Sequence, residues 1–232
     1  MARVKAVLAA ALCLAAVPAT AHAQQAQTGT GAGSVGAVNV TVGGQPTHAD
    51  PIAACALGGT ERNRNDPVVY GDTSYGLGET SCTRNQDGTV AVQVSGARFE
   101  TAVLRRYGGP LISVRTFTAG CTTTATGSNG SMEVGRVTGF TVPPTIEPNY
   151  TVTIPGRAAG DPPLAEVVLN ELIVPTPADG SLVTNAVHIK LFPQGGPASG
   201  DILVGTAACD PFGAQASQVS ARPAGSVKPS DR

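Results

Sequence analysis

Val38-Asn39-Val40-Thr41-Val42 alternates apolar and polar residues without a break. The same period of two returns at Val90-Ala91-Val92-Gln93-Val94 and at Ile112-Ser113-Val114-Arg115. A strand needs this pattern to bury one face and wet the other, whereas a helix would scatter these valines around its circumference. Further strand candidates lie at 134–142, 150–154, 164–174, 181–191 and 202–209. Turn chemistry cuts the runs at short intervals, with Gly43-Gly44, Gly108-Gly109-Pro110 and Gly127-Ser128-Asn129-Gly130 between them. Gly and Pro number 29 and 18 among 232 residues, roughly a fifth of the chain against a usual ~12%. About ten short strands with frequent turns predict an all-β fold, an antiparallel β-sandwich of Greek-key or meander connectivity. Two stretches fit this less cleanly. Residues 46–88 are irregular and read as a long, disulfide-pinned excursion holding one or two short strands. Residues 98–106 contain good helix formers, but their period-two surroundings favour a strand.

The first 23 residues read as an address. Arg3 and Lys5 precede an apolar run over 6–17, Pro18 breaks it, and Ala21-His22-Ala23 offers small residues around a cut. This is the pattern of a general secretory signal peptide cleaved between Ala23 and Gln24. The apolar run is too short to span a bilayer, which takes about 20 residues, and no twin-arginine pair is present. The expected division is therefore signal peptide 1–23, flexible leader 24–36, one β-sandwich domain 37–212 and disordered tail 213–232. Both tails are polar or small-residue-rich and cannot offset the entropy of ordering them. Cleavage removes Cys13 and leaves Cys55, Cys82, Cys121 and Cys209 in a chain bound for an oxidising compartment. Four cysteines permit three pairings. The favoured one, Cys55 with Cys82 and Cys121 with Cys209, closes loops of about 26 and 87 residues, each of a size that stabilises by a few kcal/mol.

Charge excludes one class of partner. Lys and Arg total 15 and Asp and Glu 16, with no basic cluster to neutralise phosphates, so nucleic acid is not an expected ligand. Four Tyr, five Phe and no Trp leave few stacking platforms. The mature chain is expected to contain no transmembrane segment.

The motifs that could carry chemistry are weak. His188 lies on a strand where strict alternation puts Thr184, Ala186 and Lys190 on its face and Val183, Val187, Ile189 and Leu191 on the dry one. A hydrolase would need a carboxylate and an activated serine beside it, and the sequence has no Gly-x-Ser-x-Gly elbow. His48 and Asp50, in a proline-bounded loop, are two potential metal ligands where a site needs more, and no cysteine pair has zinc spacing. Gly31-Ala32-Gly33-Ser34-Val35-Gly36 spells a dinucleotide fingerprint, but it precedes a strand and opens no helix. Residues 83–88 faintly resemble a calcium loop without its acidic first and twelfth positions, and an Asp87-Gly88 turn explains them as well. The reading is no catalytic, cofactor-binding or metal residues.

Three C-terminal strands carry a resemblance. Val167-Val168-Leu169-Asn170-Glu171, Asn185-Ala186-Val187-His188-Ile189-Lys190-Leu191 and Asp201-Ile202-Leu203-Val204-Gly205 resemble the VLNE, NALHVTL-like and DVVVG-like strands of the choice-of-anchor P family. The resemblance extends over roughly 89–209 and implies a secreted actinobacterial β-protein with no known biochemical activity. Residues 221–232 lack the sortase motif or apolar anchor with which many relatives end, so any association with the cell wall is expected to be non-covalent. The expected function is that of a secreted, non-catalytic structural or interaction module, meeting cell-wall or extracellular-matrix components. The alternatives are a carbohydrate- or surface-binding module and, third, a secreted hydrolase. Convergence of Tyr70, Tyr75, Tyr107 and Tyr150 on one groove would favour the binding module, and scattered rings would tell against it.

Overall fold

The computed structural model describes residues 29–213. The signal peptide, its cut between Ala23 and Gln24, residues 24–28 of the leader and the tail from 214 onward lie outside the described residues. Fourteen strands form two antiparallel sheets. They are β1 (Thr30–Val42), β2 (Gln45–Ile52), β3 (Cys55–Ala56), β4 (Arg62–Asn65), β5 (Val68–Tyr70), β6 (Thr73–Tyr75) and β7 (Gly78–Arg84). The second half adds β8 (Val90–Thr101), β9 (Ile112–Thr123), β10 (Ser128–Thr138), β11 (Tyr150–Ile154), β12 (Ala165–Ile173), β13 (Leu182–Leu191) and β14 (Ala198–Asp210). The first sheet runs β11-β12-β13-β14-β1-β2, with β3 also on β1. The second runs β10-β9-β8, from which β6-β5 and β7-β4 branch.

This is the expected all-β sandwich, and its sheets enclose one apolar core. Val38, Val40, Val167, Ile189, Ile202 and Val204 come from the first sheet; Val90, Val92, Phe99, Ile112 and Phe117 face them from the second. Tyr75 is buried among them, its hydroxyl 2.8 Å from the Leu203 carbonyl oxygen, so the phenol has a partner across the core. Burial pushes that phenol far above its ordinary range.

The cysteines pair as favoured, Cys55 with Cys82 and Cys121 with Cys209. Each bridge joins the two sheets, β3 to β7 and β9 to β14. Two such staples are the mark of a chain that matures in an oxidising environment. Among the described residues no helix is long and apolar enough to cross a membrane.

Several expectations need correction. Residues 128–130, expected as part of a turn, open β10, which ends at Thr138 rather than 142. The first strand begins at Thr30, not Val38, so most of 29–36 is ordered strand paired with β14. Its glycines are there for packing: a Cβ on Gly31 would fall 2.6 Å from Val90 Cγ1 and one on Gly33 2.9 Å from Val92 Cγ1. The excursion over 46–88 contains six strands rather than one or two. Residues 98–106 are split: β8 continues to Thr101, then a 3-10 turn over Val103–Tyr107 ends at Gly108, whose φ of 80° suits glycine.

A band across both sheets breaks the alternation. In β13, Leu191, Ile189 and Val187 point inward, but so do Ala186, Thr184 and Leu182. The inward phase also changes at Asn170 in β12, at Gly205 in β14 and near Val35 in β1. In the second sheet it changes near Arg98 in β8 and Arg115 in β9. Asn170, Gly205, Arg98 and Arg136 have φ of 50°, 63°, 60° and 47°, so alternate strands carry a left-handed residue at this level. Phe117 fills the corner; a Cβ on Gly205 would lie 2.9 Å from its ring.

Candidate functional site

Two polar assemblies occupy the outer faces. On the first sheet, His188 is flanked by carboxylates on both ring nitrogens. Nδ1 lies 2.9 Å from Glu171 Oε2, and Nε2 lies 2.8 Å from Asp201 Oδ1. Asn185 donates to Glu171 Oε2 at 2.7 Å, and Thr206 donates to Asn185 Oδ1 at 2.6 Å. The phase change builds this chain. Strict alternation would send Asn185 and Glu171 inward if His188 points out, but the switch at Ala186 and Asn170 brings all three to one surface.

Burial alone would lower the His188 pKa, but the hydrogen bonds and charges of Asp201 and Glu171 outweigh it, and the value is pushed up to about 9. Burial likewise works to raise Glu171, and His188 and Asn185 overcome it, so its carboxyl sits below the ordinary value. His188 is therefore an imidazolium donating from both nitrogens near neutral pH. It has no lone pair for general-base work, and among the described residues no hydroxyl is hydrogen-bonded to either of its nitrogens. The hydrolase constellation is not assembled at His188.

His48 is exposed on β2, not in a loop, with Nε2 3.2 Å from Asp50 Oδ1. Among the described residues no group of three or more His, Cys, Asp or Glu side chains could hold a metal. The 83–88 segment is the expected turn: Asp87 Oδ1 accepts from the Thr89 amide at 2.9 Å and the Thr89 hydroxyl at 2.6 Å. These bonds hold the Asp87 carboxyl below the usual range. The tyrosines do not converge, which tells against a binding module that stacks its ligand on them. Tyr75 is in the core, Tyr70 lines clefts beside β2, Tyr107 packs edge-on against Phe192 at 4.9 Å, and Tyr150 begins β11.

The second assembly is a groove of about 730 Å³ across the outer face of the second sheet. Its floor follows from the register. Ser131, Gly120, Gln93, Ser81 and Arg62 pair successively across β10, β9, β8, β7 and β4 in one row. Glu133, Thr118, Ser95, Glu79 and Arg64 form the next row on the same face. Outward positions recur every second residue, so two polar rows lie side by side with Gly120 leaving a hollow between hydroxyls. Glu79 accepts from the Ser95 hydroxyl at 3.4 Å. Arg62 and Arg64 are exposed on β4, which pairs with β7 alone, and among the described residues neither makes an ion pair. Sequence reading did not single out this site, because its residues are ordinary strand polar residues and only the register collects them.

No family model matches the chain, and no curated protein or solved structure is significantly similar to it.

Proposed function

We propose that this chain is a secreted, non-catalytic interaction module that works outside the cell, engaging surface or matrix material through the outer face of its second sheet. The observation that carries the reading is the open polar groove of about 730 Å³ over β4, β7, β8, β9 and β10. Long-range placement of catalytic groups is not needed for such a role, whereas a stiff sheet presenting fixed donors and acceptors is. Two inter-sheet disulfides support service in an oxidising milieu. The signal-peptide pattern over 1–23 supports export by the general secretion route, and the resemblance to the choice-of-anchor P family supports a place outside the cell.

Fractionation of producing cells tests this. The chain is expected in the envelope or medium with no free thiols, and the purified chain is expected to bind envelope material. Ser95→Tyr, which fills the floor of the groove from an outward position, is expected to reduce that binding at least tenfold while leaving the thermal midpoint unchanged. A cytoplasmic, reduced chain, or envelope binding equal in the two proteins, would overturn the reading.

A further inference from the structure

We infer that the groove over the second sheet is a subsite for an acidic polysaccharide, one whose sugar rings carry carboxylates. The inference rests on the proposed interaction role and names its ligand class. The floor offers Ser81, Gln93, Ser95, Thr118 and Ser131, side chains that both donate and accept hydrogen bonds, while Glu79 and, at the β10 end of its row, Glu133 only accept. Sugar hydroxyls also donate and accept, so floor and ligand are complementary in hydrogen bonding. Protein partners bury an apolar, aromatic-rich centre at their interfaces, and among the described residues no aromatic side chain lines this groove.

One wall is cationic. Arg62 and Arg64 stand two residues apart on β4 and so project to the same side, about 7 Å from one another along the strand. Each lies at the end of one polar row, opposite Ser81 and Glu79 respectively. Glu79 is the direct cross-strand neighbour of Arg64, yet no ion pair forms between them, and its carboxylate takes the Ser95 hydroxyl instead. Two uncommitted guanidinium forks beside a hydroxyl floor suit carboxylates, which they bind through paired N–H donors. Two arginines are too few to hold the dense phosphates of a nucleic acid. From β4 to β10 the floor spans four interstrand steps, about 19 Å, which accommodates several rings of an extended chain.

The test is affinity electrophoresis and titration of the full chain with polygalacturonate, with the same polymer after reduction of its carboxyls to alcohols, and with polyglutamate. Polygalacturonate is expected to bind, weakening as salt rises. The reduced polymer and polyglutamate are each expected to bind at least tenfold more weakly, the first for want of charge and the second for want of hydroxyls. Arg62→Gln with Arg64→Gln is expected to lower polygalacturonate affinity about tenfold and affinity for the reduced polymer by much less. Equal binding of polygalacturonate and polyglutamate, equal binding of the reduced polymer, or no binding of polygalacturonate would each overturn the inference. If polygalacturonate fails while Ser95→Tyr still abolishes envelope binding, only the ligand class falls; if Ser95→Tyr has no effect there, the interaction role falls with it.

Discussion

At His188, burial and charge pairing pull in opposite directions, and pairing prevails because carboxylates meet both nitrogens. Below about pH 6.5 the imidazole is protonated in both the folded and unfolded chain, and the network contributes fully. As the pH rises towards the folded value of about 9, unfolding releases a proton and that contribution is lost. Glu171 acts at the other end: its depressed carboxyl contributes above its ordinary 4.5 and the contribution is lost as the pH falls. Stability should therefore be greatest near pH 5–6.5. Between pH 6.5 and 9 His188 should account for a decline on the order of 1–2 kcal/mol, allowing for the solvent exposure of Asp201. In His188→Gln, urea midpoints measured across that range should lose most of the decline. A slope equal to that of the parent chain would show that the imidazolium is not what couples folding to protons.

The elements were legible in the sequence where alternation was strict. β11, where Val152 and Ile154 alternate with threonines, occupies the anticipated 150–154, and β12 and β13, whose alternation breaks at Asn170 and Ala186, still lie within a residue of their expected bounds because Pro and Gly turns flank their apolar runs. The start of β1 was hidden for a physical reason. Gly31 and Gly33 look like a leader, but they are thin so that Val90, Val92 and Val94 can approach from the opposite sheet. Gly31→Val should force Val90 and Val92 out of their positions and cost about 1–3 kcal/mol of folding free energy. Gly59→Ala, where the nearest atom to a new Cβ is 3.7 Å away, should change stability by less than about 0.5 kcal/mol. Denaturant midpoints of the two variants check this, and a harmless Gly31→Val would mean that the sheets are not so closely packed there. The band of phase changes was likewise invisible, since Asn170, Arg98 and Arg136 carry positive φ without being glycine. It is the reason alternation placed Thr184 and Ala186 on the surface with His188, when both are buried.

For the whole molecule, the cysteine arithmetic anticipated two bridges, and the sheets explain why they matter: each ties one layer to the other across the core. With β3 and β7 pinned at one position and β9 and β14 at another, the second sheet is a stiff surface on which side chains of distant strands hold register. That surface, and not any single motif, is the candidate site. Composition could not show it, because Ser, Thr, Gln and Arg are spread over 62–131 and meet only when β4, β7, β8, β9 and β10 are aligned. Which face the molecule uses is therefore the decisive question. Phenylglyoxal labelling of arginines, read by mass spectrometry with the chain free and bound to envelope material, measures this most directly. Arg62 and Arg64 should label several-fold more slowly in the bound chain, while Arg105, exposed in the 3-10 turn after β8, labels at an unchanged rate. Equal labelling of Arg62 and Arg64 in the two states, or protection at Arg105 instead, would contradict the claim that the outer face of the second sheet is the binding face.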